Sequence, residues 1–223
     1  MNLNPEQRAL LERHLRLVID ANQRTNITRI DTWEQGWLLH VEDSLVGLDE
    51  VQAAPIGSLA DIGSGAGFPG IPLSIMTGRD TTLVESVGKK AALLDAFIQE
   101  LGISNNTCAY SGRVEELARL KPGCFAVITA RALSSLPSLL ELASPLLIQG
   151  GRLVCYKSAE IEDELSWALS LQDKLAMRFL RRTDTFLSDG ETPRSIVVFE
   201  KQGEPTVTLP RREGQAQRKP YRK

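Results

Sequence analysis

Between Ser58 and Lys201, short apolar runs alternate with longer stretches of helical spacing. The apolar runs at 58–62, 81–85, 107–110, 124–130 and 151–157 predict five strands. The stretches at 70–77, 88–101, 114–120, 136–147 and 159–177 predict helices between and after them. Alternation at this interval predicts an α/β fold with a parallel sheet covered by helices on both faces. After Met177 the rhythm changes. Residues 178–187 and 194–201 read as two strands with no helix between them, joined by a turn over 188–193. That pattern predicts an antiparallel hairpin closing a seven-stranded, mostly parallel sheet.

The first 50 residues read as a helical extension. Asn4 is a cap with Pro5 at the first helical position, and Leu10, Leu11, Leu15, Val18 and Ile19 recur at helical spacing. Thr32 caps a second helix with Trp33, Trp37, Leu38, Val41, Leu45 and Leu48 on its apolar side. The chain thus divides into a helical segment packed on the core (1–50), the main domain (51–202) and a polar, basic, flexible tail (203–223).

The strand at 58–62 runs into Gly63-Ser-Gly65-Ala-Gly67-Phe68-Pro69-Gly70. Glycine permits positive φ and lets a ligand approach without meeting a Cβ, and a helix start presents backbone N–H groups to polar ligands. Gly65 to Gly70 satisfies G-x-G-x-x-G, and Glu85 stands 20 residues beyond Gly65. A nicotinamide-dependent oxidoreductase therefore competes. Asp61 at the strand end, placed to meet an ammonium group, and Pro69 and Pro72 favour S-adenosylmethionine instead.

Charge and cysteine content narrow the picture. The net charge is −2, distributed as +5 over 205–223 and −7 elsewhere, so only the tail reads as an electrostatic tether for RNA. Cys108, Cys124 and Cys155 lack metal spacing and read as buried free thiols in a reducing compartment. No signal segment or long apolar run is visible, which predicts a cytoplasmic protein, away from membranes. No apolar seam is visible either, which predicts a monomer; no third ligand supports a metal.

In an open α/β sheet, ligands bind beyond the carboxyl ends of the strands. Those ends hold Asp61, Gly63, Gly65, Gly67 and Phe68, then Glu85, which can accept from two ribose hydroxyls. Val114 can pack on an adenine and Glu115 bond its amino group. Arg131 stands where a target base would meet a methyl donor, and Lys157 offers a phosphate or substrate contact. His40 and Asp43 share one helix face as a dyad or as a helix-docking pair. His14, among leucines, reads as structural.

Five parallel strands with a terminal hairpin is the plan of Rossmann-like class I methyltransferases. The residues at 61–73, Arg113-Val-Glu-Glu116, Ala130-Arg-Ala132, Asn26-Ile-Thr28, His40-x-x-Asp43-Ser-Leu and Pro210-Arg-Arg-x-Gly214 resemble the RsmG (GidB) family over nearly the whole chain. The resemblance implies methylation by S-adenosylmethionine of N7 of guanine 527 in 16S rRNA of the small ribosomal subunit. It implies cofactor contacts from Gly63, Phe68, Val114, Glu115 and Arg131. His40, Asp43, Lys157, Arg211 and Arg212 are the candidate RNA contacts. Guanine N7 carries a lone pair and no proton, so the chemistry needs no general base; the chain offers no convincing nucleophile–base set. A non-catalytic RNA-binding assembly factor is the remaining alternative.

Overall fold

Aliphatic side chains fill both faces of the central strands, so their backbones pair where helices can cover both sides. All residues of β1 (Leu59–Ile62) and β2 (Thr81–Glu85) are buried. The structure, a computed structural model, describes residues 3–158 and 160–222. The remaining strands are β3 (Thr107–Ser111), β4 (Phe125–Arg131), β5 (Leu147–Lys157), β6 (Met177–Phe186) and β7 (Pro193–Lys201). They form one sheet in the order β3-β2-β1-β4-β5-β7-β6. Strands β1 to β5 are parallel, and β7 runs antiparallel to both β5 and β6. The expected hairpin is present. It sets the sheet apart from the dinucleotide-binding plan, which adds a sixth parallel strand. The strand order reverses between β1 and β4, which opens a crevice at their carboxyl ends.

One face carries α7 (Val114–Leu120), α8 (Leu136–Ala143), α9 (Glu162–Leu169) and α10 (Gln172–Leu175) over a core including Ile128, Leu140 and Phe199. The other carries α5 (Gly70–Thr77) and α6 (Gly88–Leu101). The amino-terminal helix α1 (Pro5–Thr25) lies on those two and shares their core through Leu11, Leu15 and Val18. Its start is a capping box between Asn4 and Gln7, and Pro5 opens it. The second helical stretch spans 33–45 and begins at the Thr32 cap. It is α-helical at Trp33–Gly36 (α2) and Asp43–Leu45 (α3), but its centre, Trp37–Glu42, is a π segment. Such widened turns gather at functional sites, and this one presents His40. A short α4 (Leu48–Gln52) follows, closed by Arg79, whose guanidinium donates to the carbonyls of Val51, Ala54, Pro55 and Gly57.

Several expectations need correction. The helix predicted over 136–147 stops at Ala143, because Pro145 cannot continue it. The helix predicted over 159–177 is two pieces, ended by Ala176 at φ 52; its first position, Ala159, lies outside the described residues, as does Lys223 of the tail. Cys108 and Cys124 are exposed rather than buried, because β3 is an edge strand and Cys124 precedes β4. Only Cys155 is buried, and burial pushes its thiol up to about 12.

The largest correction concerns the carboxyl terminus. Residues expected to trail as a flexible tail instead form a strap docked on α7, α8 and α9. It contains α11 (Gln215–Arg218) and the buried Ala216. The Ser138 hydroxyl donates to Ala216 O (2.9 Å), and the Trp167 indole N–H donates to Tyr221 O (2.9 Å). Val207, Leu209 and Tyr221 pack against the α7–α10 core. Apolar residues spaced through a polar segment were the signal that composition concealed.

Candidate cofactor and substrate site at the carboxyl edge of the sheet

The loop after β1 is shaped from below by Asp61. This carboxylate is fully buried, accepting from Thr129 Oγ1 (2.8 Å) on β4 and from Gly70 N (3.1 Å) at the start of α5. The expectation that Asp61 meets an ammonium group is thereby corrected: it ties β1, β4 and α5 together beneath the loop. Burial raises its pKa, opposed by the hydrogen bond from Thr129. Above it, Gly63 and Ser64 donate backbone N–H groups to Val84 O. Gly67, at φ 92, passes so close to α1 that an added Cβ would sit 3.1 Å from His14 Nε2 and 2.6 Å from Ile71 Cδ1.

Glu85 ends β2 beside that loop. Its two carboxylate oxygens accept from Gly65 N (3.1 Å) and Val87 N (2.8 Å). A carboxylate fixed in this way keeps lone pairs for further donors, as a ribose would supply. Gly65 has φ 58, and a Cβ there would meet no protein atom within 4 Å. The loop therefore leaves space at its crest for a ligand, and the residues present fit an S-adenosylmethionine cofactor. Val114 and Glu115 begin α7 beside Gly63, Val84 and Gly112, lining a cavity of about 50 Å³.

Phe68 lies between two imidazoles: His14 at 4.4 Å and His40 at 4.6 Å between ring centroids. Both faces of its ring are thus engaged, and the Arg131 guanidinium lies 5.7 Å from its centroid. His14, structural as expected, also touches the glycine loop, since its Nε2 donates to Ala66 O (3.0 Å) while Nδ1 is buried without a partner. Burial holds His14 down at about 3 and His40 at about 4, the latter aided by the Arg131 charge. Both are neutral at pH 7. A depressed histidine contributes stability above its unfolded value near 6.5, and that contribution is lost as pH falls toward the folded value. Between pH 7 and 5 each should remove roughly 2 kcal/mol. Urea unfolding at the two pH values checks this, with a smaller loss expected in His14→Gln; an unchanged midpoint would contradict it.

Arg131 ends β4 and joins the helical extension to the sheet. Its Nη1 donates to Asp43 Oδ2 (2.8 Å) and Leu39 O (3.1 Å), and Nη2 approaches His40 Nδ1 (3.4 Å). Asp43 is 3% exposed and also accepts from Arg194 Nε (2.6 Å). His40 and Asp43, expected as a dyad or docking pair, are bridged by Arg131, which reaches both. His40 Nε2 is occupied by Thr28 Oγ1 (2.9 Å). Beyond them opens a cavity of about 570 Å³ whose lining includes Ile30, His40, Asp43, Arg131, Lys157, Glu164 and Arg194. Lys157 Nζ donates to Ser134 O (2.8 Å) and to Glu164.

Arg194 and Glu164 escape the sequence reading. Arg194 is the second residue of β7, and because β7 is antiparallel, its first residues lie beside Lys157 at the carboxyl end of β5. A final strand reversing direction was the available signal. Arg211 needs the opposite correction. Its guanidinium forms a two-point pair with the buried carboxylate of Glu141 and stacks on Tyr221 at 4.1 Å. It holds the strap and does not face the cavity. Arg212 is exposed on the strap surface. Among the described residues no cluster suited to a metal ion occurs, and no helix is long and apolar enough to cross a membrane.

This strand order, with a glycine loop after β1 and a ribose-ready acid after β2, defines a Rossmann-like methyltransferase. The O-methyltransferase from Bacillus cereus, solved in complex with SAH, superposes with a TM-score of 0.61 at 18% identity, covering 84% of this chain and 90% of that one. A geranyl diphosphate methyltransferase with GPP and sinefungin gives 0.56 at 14% identity over 71% and 76%. The family described as rRNA small subunit methyltransferase G (GidB) matches residues 7–186. Ribosomal RNA small subunit methyltransferase G of Streptococcus suis is 31% identical over 225 residues, covering 99% of this chain and 94% of its own. That of Moorella thermoacetica is 32% identical over 223 residues, covering 99% and 92%. The chain belongs to the rRNA small subunit methyltransferase G family. The nicotinamide alternative is thereby set aside.

Proposed function

We propose that the chain methylates N7 of guanine 527 in 16S rRNA of the small ribosomal subunit, acting as a cytoplasmic monomer without a metal. The observation that carries this reading is the cavity at the ends of β4 and β5, whose basic groups are already committed to partners. His40 is neutral and hydrogen-bonded through Nε2, Lys157 is paired with Glu164, and Arg131 with Asp43. Its histidine is thus not set up as a general base, which suits attack by a purine nitrogen that has no proton to lose. S-adenosylmethionine supplies an electrophilic methyl group on its sulfonium when bound. Glu85 would accept from its ribose hydroxyls, and the glycine loop would approach it closely. Val114 and Glu115 would meet its adenine. Arg131, pinned at three points and positive where the product also gains positive charge, orients a carboxylate or phosphate rather than stabilising the product. Proximity and orientation then carry the rate, a term worth roughly 7–11 kcal/mol in favourable cases.

The test is transfer of labelled methyl groups to small subunits lacking the modification, followed by borohydride–aniline cleavage at N7-methylguanine. One new cut at position 527 is expected. Labelling elsewhere would discard the target, and RNA binding without labelling would favour the assembly-factor alternative. Gly65→Ala probes the cofactor side. The fold has room for its Cβ, and the positive φ costs about 1–2 kcal/mol. We expect at least tenfold weaker binding of S-adenosylhomocysteine by calorimetry, with the thermal transition lowered by only a few degrees. Unaltered affinity would move the cofactor away from the loop.

A further inference from the structure

The strap does more than cover apolar surface, because it reaches the edge of the cofactor crevice. The small cavity at the start of α7 is walled by Val84, Gly112, Val114, Glu115 and Leu133 of the core, and by Gln217 of the strap. Arg113 Nη2 donates to Gln217 Oε1 (3.4 Å), which leaves the amide nitrogen of Gln217 as the end free to donate elsewhere. The strap also takes one oxygen of the buried Glu115 carboxylate, since Gly214 N donates to Glu115 Oε1 (2.6 Å). That bond orients the carboxylate and leaves Oε2, 3.9 Å from Arg113 Nε, as the less engaged acceptor.

We infer that the strap is the outer wall of the adenosine subsite, with Gln217 donating to the purine ring and Gly214 holding Glu115 toward the purine's exocyclic amine. The inference rests on the cofactor reading above. An adenine edge presents ring-nitrogen acceptors next to an amino donor. One primary amide and one oriented carboxylate match that pattern; a hypoxanthine edge, which replaces the amine with a carbonyl, does not. The strap is anchored beside this cavity by Ser138 on Ala216 O and by Gly214 on Glu115, which holds Gln217 at its rim. Gln217 is thus a specificity-determining residue carried on the strap.

The test uses the full chain and two readouts independent of turnover. Calorimetry compares S-adenosylhomocysteine with S-inosylhomocysteine in the wild type, Gln217→Leu and Gln217→Glu. Gln217→Glu keeps the size of the side chain while removing its donor, so it separates lost packing from a lost hydrogen bond. Both variants should bind S-adenosylhomocysteine at least tenfold more weakly, with a narrowed preference over the inosyl analogue and unchanged melting temperature without ligand. In the wild type, S-adenosylhomocysteine should also slow tryptic cleavage after Arg212 and Arg218 at least fivefold. Affinities within twofold of wild type in both variants, with cleavage indifferent to ligand, would overturn the inference. Failure of the wild type itself to bind S-adenosylhomocysteine would overturn the cofactor reading instead.

Discussion

Arg131→Ala should lower kcat/KM for methyl transfer by about 10²-fold, the scale of loss when reacting groups are misplaced by about 1 Å. Arg131 is the point where β4, the π segment and β7 converge. It donates to Asp43 and Leu39, lies over Phe68, and forms part of the larger cavity wall. Its loss would leave Asp43 buried with Arg194 as its remaining cationic partner and would loosen the helical extension against the sheet end. Arg131→Lys keeps the charge but cannot form the same planar fork. It should recover the melting temperature while recovering less than a tenth of the lost rate. If Arg131→Lys restored full activity, positive charge alone would suffice and the orienting role would be wrong. Equal kcat/KM in wild type and Arg131→Ala would place the reaction elsewhere.

The second large effect is on stability. Arg211→Ala should destabilise the chain by about 3–5 kcal/mol, the typical cost of removing one partner from a buried ion pair. Glu141 is 2% exposed on α8, and both its oxygens accept from Arg211. Without the arginine the carboxylate must stay buried uncompensated or take up a proton. Stacking of the guanidinium on Tyr221 is lost at the same time. Urea unfolding measures the change. Replacing both partners, Arg211→Met with Glu141→Leu, should restore most of the stability, because an apolar pair avoids the desolvation penalty. A loss below about 1 kcal/mol in Arg211→Ala would mean the strap contributes little to folding. In that event the segment would behave as the tail its composition suggests.

That strap shows where reading the chain fails. Residues 203–223 are polar, basic and proline-containing, and composition alone makes them a solvated tail. What docks them is a handful of dispersed groups: Arg211 onto Glu141, Ala216 under Ser138, Tyr221 beside Trp167. None has a local pattern, because each partner lies on α8 or α9, more than 50 residues away in the chain. The same reason explains Arg194, which enters the site only because its strand runs backwards.

The sheet, by contrast, is legible because it is encoded locally. Each strand of the parallel core carries its own apolar run, each helix its own period, and the missing helix between β6 and β7 announces the hairpin. The glycine loop is equally local, since its turns need small residues in consecutive positions. The chain by itself thus determined the element order, the ligand edge of the sheet and the family it resembles. Only the tertiary structure decided which protein partner each acid meets. Asp61 meets Thr129 across 68 residues, Glu115 meets Gly214 across 99, and Asp43 meets Arg194 across 151. A carboxylate's role depends on whether its partner reaches it before solvent does, and partners so distant in sequence are chosen by packing.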